Sequence, residues 1–350
     1  MARFTNNSNR KLAFQGLEER RLMAGDVAVA VSDGDLMMAG DSHENSVTMI
    51  QAFQAGMPVP GRFYVRGLNG TTINGGTGGF MAEGVTRNFH IDLKDGSDYL
   101  VLGDSHPFTV PNDLNINLGD GYLNHAVLDG ITVRDDVAIF GGTGTDNVTI
   151  KRTTIGNVGA DANRNDLTIN TGLGAESVLL QYTSVQRNVS VNTGGDALAN
   201  RVDMYFTNIE NDLTINTGLG ADTVNLQNAF VRRNVSIDTG NDFLENHVDM
   251  YFANVGKDVT IRTGFGADKV TLSNVGVNNE LKIETRDGKD DVTLYRSEAD
   301  VLSVTLGGGD DKLSLREMNG RKAMLDGGTG INTYFETGTL FTQGRSRAGF

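Results

Sequence analysis

Aspartates that close glycine-rich turns are the side chains of this sequence with the most chemical reach. Asp146 ends Gly141-Gly142-Thr143-Gly144-Thr145, Asp222 follows Thr217-Gly218-Leu219-Gly220-Ala221, and Asp268 follows Thr263-Gly264-Phe265-Gly266-Ala267. Asp311 follows Gly307-Gly308-Gly309-Asp310, and Glu176 takes the acidic place after Thr171-Gly172-Leu173-Gly174-Ala175. Carboxylate and turn-carbonyl oxygens are hard ligands that suit Ca²⁺. Asp146, Asp222, Asp268 and Asp311 are therefore candidate metal ligands, and Ca²⁺ is the one cofactor the sequence suggests, if it has any. The competing reading is structural. Glycine supplies positive φ at a tight corner, and aspartate satisfies nearby backbone N–H groups.

Catalytic chemistry finds less support. Asp290-Asp291 and Asp310-Asp311 would make an acid/base set only if their carboxyls converged, and both pairs lie in repeat turns. The histidines, His43, His90, His106, His125 and His247, show no ligand spacing. There is no Trp, and aromatic residues make up 7% of the chain, which leaves few platforms for stacking sugars. Tyr205-Phe206 and Tyr251-Phe252 are expected to point one ring inward and one outward, giving a small aromatic patch. No catalytic residue is assigned, and no enzyme is expected.

The elements that must hold these residues are legible as repeats. Asn165 to Ala175 recurs identically as Asn211 to Ala221, 46 residues later. The markers Val178, Val202, Val224, Val248, Val270, Val292 and Leu313 step by 24, 22, 24, 22, 22 and 21, so one coil is about 22 residues. Within a coil, Leu213 and Ile215 flank Thr214, and the same alternation recurs at Val224 and Leu226 and ends at Val231. Period-two alternation broken by glycine reads as short strands rather than helix. Identical positions stacked coil on coil bury jointly what one coil cannot. In this register Ile215 lies between the layers of Ile169 and Ile261, and the turn aspartates stack one strand spacing apart along one edge. Strand crossovers favour the right hand. The fold expected is all-β: a right-handed parallel β-helix, a solenoid of about 22 residues per coil, over residues 90–340. Residues 27–89 lack the repeat and are expected to form an N-terminal β cap over the open edge. Residues 341–350 carry no pattern and are expected to fray.

Two resemblances follow from these residues. Gly141 to Thr149 is similar to the G-G-x-G-x-D-x-U-x nonapeptide of RTX β-rolls, which implies Ca²⁺ held between turns. The match departs from that family in having one copy per coil rather than nonapeptides back to back. Residues 14–24, Phe14-Gln-Gly-Leu17-Glu18-Glu19-Arg20-Arg21-Leu22-Met23-Ala24, resemble a segment near the start of exported and surface proteins of planctomycete bacteria. Gly34 to Asp41 and Gly67 to Gly75 look like the strand-and-turn opening of the same group. That resemblance implies an export-like segment over 1–26 and an extracellular or cell-surface location.

Composition narrows the partners. The chain has 44 acidic against 30 basic residues, a net charge of −14, which disfavours nucleic acid and anionic membranes. No stretch reaches 18 apolar residues, so no membrane-spanning helix is expected. Without cysteine there is neither a disulfide nor a thiolate metal site. The functional expectation is a secreted or cell-surface structural or interaction solenoid with an extracellular partner. Self-association is compatible with it. A Ca²⁺-binding module is the alternative, and a polysaccharide-active β-helix enzyme the third reading.

Overall fold

β-Branched and leucine side chains at every second position favour extended backbone, because they pack well on one face of a pleat. In the computed structural model, which describes residues 24–103, 108–156 and 165–350, this alternation builds strands and no helix. The N-terminal strands are β1 (Asp26–Ser32), β2 (Asp35–Ala39), β3 (Ser46–Gln54), β4 (Met57–Gly67), β5 (Thr72–Ile73) and β6 (Phe80–Glu83). The first coil follows as β7 (Phe89–Asp92), β8 (Tyr99–Leu102) and β9 (Phe108–Val110). β2 lies parallel to β7 and β3 parallel to β8, so residues 35–54 already form most of a rung. Away from the shaft, β1 runs antiparallel to β2, β4 to β3, and β6 to β4. These hairpins cover the ladder edge that would otherwise be left open to pairing. Phe63, Phe89 and Phe108 fill the rung beneath them, with ring centroids 5.0, 5.1 and 6.0 Å apart.

From β7 onward the plan repeats as a parallel β-solenoid of about 11 turns, about 22 residues each. The register column Phe89, Leu114, Val137, Leu167, Val189, Leu213, Val235, Val259, Leu281, Leu302 and Ala323 marks coils 1 to 11. Coil 6 is typical: a first strand Leu213–Asn216, a second Thr223–Gln227 and a third Phe230–Val231. Its inward residues Leu213, Ile215, Val224, Leu226 and Val231 are buried, while Thr214 is exposed. The stacking partners of Ile215 are Val191 and Ile237, not Ile169 and Ile261. The exact 46-residue repeat spans two coils, so identical residues sit one layer further apart than the sequence suggests.

The corners carry the rest of the design. Between first and second strands the chain turns through glycine. At Gly218 φ is +83°, and a Cβ there would lie 1.8 Å from the carbonyl oxygen of Gly194 in the preceding coil, so no larger residue fits. Between second and third strands one residue per coil takes left-handed backbone. From Arg152 through Tyr182, Phe206, Asn228, Phe252, Asn274 and Arg296 to Glu317, φ lies between 47° and 54°. That kink breaks the alternation. In Tyr205-Phe206 and Tyr251-Phe252 all four rings therefore stay outside, contrary to the expected one-in, one-out arrangement, and the next residue turns in. The kinked rings stack along the shaft: Tyr182 and Phe206 lie 4.9 Å apart at 12°.

Interior composition changes along the shaft. The corner column after the first strand holds Leu93 and Leu118 in coils 1 and 2 and Leu306 in coil 10, but Thr171, Thr193, Thr217, Thr239, Thr263 and Thr285 in coils 4 to 9, all buried, with glycine at Gly141 and Gly327 in coils 3 and 11. At the C-terminal end, where 341–350 was expected to fray, Arg345–Ala348 pairs in parallel with Lys322–Asp326 and Phe350 packs on Tyr334 at 5.4 Å. All four residues of this strand are exposed. Backbone pairing holds it, which leaves no hydrophobic period to read. Among the described residues no helix is long and apolar enough to cross a membrane.

Candidate functional site

Each turn from first to second strand ends on a residue whose side chain points into the shaft. The column runs Asp98, Asn124, Asp146, Glu176, Asn200, Asp222, Asn246, Asp268, Asp290 and Asp311, each at most 2% exposed. A turn interrupts the ladder of backbone bonds, and these side chains replace it. Asn45 N–H donates to Asp98 Oδ1 at 2.7 Å, and Asp98 N–H to Asn124 Oδ1 at 2.8 Å. Further along, Asp146 N–H donates to Glu176 Oε2 (2.8 Å), Glu176 to Asn200 Oδ1 (2.9 Å), Asn200 to Asp222 Oδ1 (2.8 Å) and Asp222 to Asn246 Oδ1 (3.0 Å). The series ends through Asp268, Asp290 and Asp311 on Asn332 Oδ1. Asn124 departs from the pattern by reaching Asp146 Oδ1 with its side-chain amide, at 2.9 Å.

The four aspartates proposed as metal ligands are thus placed inside, not on the outer edge. They stand in coils 3, 6, 8 and 10 rather than in successive layers. One oxygen of each accepts an N–H or amide of a neighbouring coil, so the bond runs between coils, while the local backbone role weighed from sequence is kept by Asp146, whose Oδ2 accepts the Gly142 N–H of its own turn at 3.2 Å. The second oxygens of Asp222, Asp268 and Asp311 are buried without a hydrogen-bond partner. The Thr217 and Thr263 hydroxyls face Asp222 and Asp268, close enough to favour their charge but outside hydrogen-bond geometry. Thr285 donates instead to Leu306 O at 3.1 Å.

Burial of a carboxyl disfavours its charged form. It is the leading cause throughout the column, pushing Asp146 and Asp222 up to about 6, Asp98 and Asp290 to about 7, and Glu176 to about 8. Asp268 and Asp311 are raised in the same sense. The imagined acid/base pairs do not converge. Asp290 points inward while Asp291 points out to Lys312 Nζ at 2.7 Å, and Asp311 is inside while Asp310 is on the surface. His125, Arg201 and His247 share one outward register column, so that position accepts either a histidine or an arginine.

A second side-chain ladder, which sequence reasoning missed, lies at the corner between third and first strands. Asp166 Oδ1 accepts from both nitrogens of Asn188 at 3.0 Å, and Asp212 Oδ1 accepts from those of Asn234 at 3.0 and 2.8 Å. The Asn-Asp and Arg-Asn dipeptides that recur before Leu114, Leu167, Val189, Leu213 and Val235 were the available signal. In its early coils this ladder brings oxygens of Asp113, Asp135 and Asp136 within 4.8 Å of one another, the one such acidic triad among the described residues. Asp136 Oδ1 there accepts the N–H groups of Asn165 and Asp166 at 2.7 and 2.8 Å.

No family model, no curated protein and no solved structure matches this chain.

Proposed function

We propose that the chain is a non-enzymatic structural or interaction protein, an acidic solenoid shaft that works outside the cell or on its surface. The observation that carries this reading is the use made of its most chemically capable side chains. The turn carboxylates hold one coil to the next, and the acidic pairs that might have formed a catalytic set diverge. The resemblance of residues 14–24, all but the last of which lie outside the described residues, to exported planctomycete proteins supports the location. Protease treatment of intact source cells tests it: degradation of the chain while a cytosolic marker survives is expected, and full protection inside the cell overturns the location. Release of reducing sugars from a polysaccharide panel, lost in Asp290→Asn or Asp311→Asn, would overturn the non-enzymatic reading.

A second reading, Ca²⁺ binding at Asp146, Asp222, Asp268 and Asp311, is favoured by the partnerless second oxygens of the last three. Calcium takes six to eight oxygens, and the four residues stand in separate layers. Melting with chelator and with added Ca²⁺ separates the readings. The shaft reading expects no difference. A rise in melting temperature with Ca²⁺ that Asp268→Ala removes would establish the second.

A further inference from the structure

We propose that residues 1–23, while they remain attached, lie along an apolar ridge that runs over the glycine corners of coils 4 to 8. The ridge is built of Leu173, Leu198, Leu219, Phe243, Leu244 and Phe265, one or two from each successive turn between first and second strands. Phe243 is 81% exposed and Leu198 52%, and Ala175, Ala221 and Ala267 lie exposed beside the larger side chains. Single apolar residues on a surface are ordinary, but an unbroken line of them from coil to coil marks a contact surface. The turns touch one another: Gly144 N–H donates to Leu173 O at 2.8 Å, Gly220 N–H to Asp242 Oδ2 at 2.9 Å, and Phe265 N–H to Asp242 O at 2.6 Å. At the far end Phe243 stacks on Phe265 at 5.6 Å, and Arg286 lies over the Phe265 ring at 5.6 Å. Side chains already ordered in this way lose little freedom on contact.

Charge along the same corner narrows the occupant. From the turn at 40–45 to that of coil 8, the outward acids are Asp41, Glu44, Asp95, Asp120, Asp196, Asp242 and Glu245, and Lys94 is the one lysine or arginine in those turns. A second copy laid ridge to ridge would set Asp196 and Asp242 against their like, and such opposition weakens association. The occupant that fits is apolar and basic. Residues 1–23 are both: Phe4, Leu12, Phe14, Leu17 and Leu22 accompany Arg3, Arg10, Lys11, Arg20 and Arg21, against Glu18 and Glu19 alone.

The path of the chain favours this segment over a free partner. Gly25 N–H donates to Glu44 O at 2.9 Å and Asp26 N–H to Asp41 Oδ2 at 3.0 Å, so the chain enters the shaft at the turn 40–45. That turn heads the same corner, because its Asn45 N–H donates to Asp98 Oδ1, the first member of the inward column. Coil 4 lies four strand spacings further along, roughly 19 Å, and coil 8 roughly 38 Å. Residues 1–23, at up to about 3.3 Å each, reach both with length to spare. Tethered there, the segment meets the ridge at a local concentration on the order of millimolar, which a free partner would have to match.

The chain has no cysteine, so introduced pairs report on proximity without interference. In the full chain, Gln15→Cys is combined in turn with Ala175→Cys, Ala221→Cys and Ala267→Cys. The reference pair is Gln15→Cys with Gln227→Cys, an exposed position at the far end of a second strand. Under mild oxidation of dilute protein, at least one ridge pair should close within a single chain on the order of tenfold faster than the reference. Equal rates for all four pairs, or bridges formed only between two chains, overturn the proposal. Binding of an apolar dye reads the ridge itself. Phe14→Ser/Leu17→Ser should release the segment and raise dye emission about twofold, a rise that adding Phe243→Ser/Leu244→Ser abolishes. Emission unchanged by Phe14→Ser/Leu17→Ser means that the segment does not cover the ridge, which is then open to another partner, and overturns the proposal equally.

Discussion

Replacing Asn246 by alanine tests whether the inward side chains, rather than the strands alone, hold the coils. Asn246 is fully buried, its Oδ1 accepts the Asp222 N–H at 3.0 Å, and its Nδ2 donates to Leu244 O at 3.3 Å. Alanine removes both bonds and leaves the Asp222 amide without an acceptor in the shaft. A buried orphan donor costs about 1–3 kcal/mol, and the space left by the missing amide adds about 1 kcal/mol more. A total of about 2–4 kcal/mol is expected. Asn225 is the control: its Nδ2 also makes one bond between coils, to Asp203 Oδ1 at 2.7 Å, but on the half-exposed outer face. Asn225→Ala should cost less than about 0.5 kcal/mol, as surface changes usually do. Denaturant unfolding gives the totals, and hydrogen exchange at the Asp222 amide gives the local effect, since solenoids open in part as well as whole. Equal costs for the two variants, with an unchanged Asp222 amide, would refute the idea that the column carries the turns.

Further expectations follow from the register and the corners. Ile215→Asp puts an unpaired charge between Val191 and Ile237 and should cost several kcal/mol or prevent folding, whereas Thr214→Lys on the same strand should change stability by less than about 0.5 kcal/mol in denaturant melts. Phe252 holds φ +52° while 55% exposed; asparagine tolerates that conformation better, so Phe252→Asn should raise stability by up to about 1 kcal/mol. Gly218→Ala, with its Cβ driven into the Gly194 carbonyl, should lower the melting temperature sharply and expose coils 5 and 6 to exchange first.

Sequence alone revealed the solenoid because period-two burial and a 22-residue period act at every coil and reinforce one another. Leu213, Ile215, Val224, Leu226 and Val231 could each be placed from their neighbours one period away. It misassigned the layer next to Ile215, because an exact repeat is more conspicuous than the degenerate half-repeat that is the true neighbour. It also kept Tyr205-Phe206 in alternation, since nothing in a Tyr or Phe announces a left-handed backbone. The inward column was only half visible. Glycine turns marked Asp146 and Asp222, but Asn124, Asn200 and Asn246 do the same work with a neutral side chain and no metal-ligand signature. Whether a turn carboxyl points outward to a cation or inward to the next coil depends on one residue of phase in the turn, which composition does not encode.

The direction of the inward bonds bears on how the chain is made. From Glu176 onward each side chain of the column accepts the turn amide of the coil before it, never of the coil after. During synthesis, a coil that has just left the ribosome therefore has an open amide in its turn until the following coil has emerged far enough to supply the oxygen. Assembly then runs one coil behind translation, and a pause in elongation leaves a single unsatisfied turn at the growing tip rather than a disordered shaft. Asn332 accepts the Asp311 amide in the same sense, and its own amide donates to Gly327 O and Gly349 O at 2.7 and 2.9 Å, so that this acceptor is pinned in part by residues made after it.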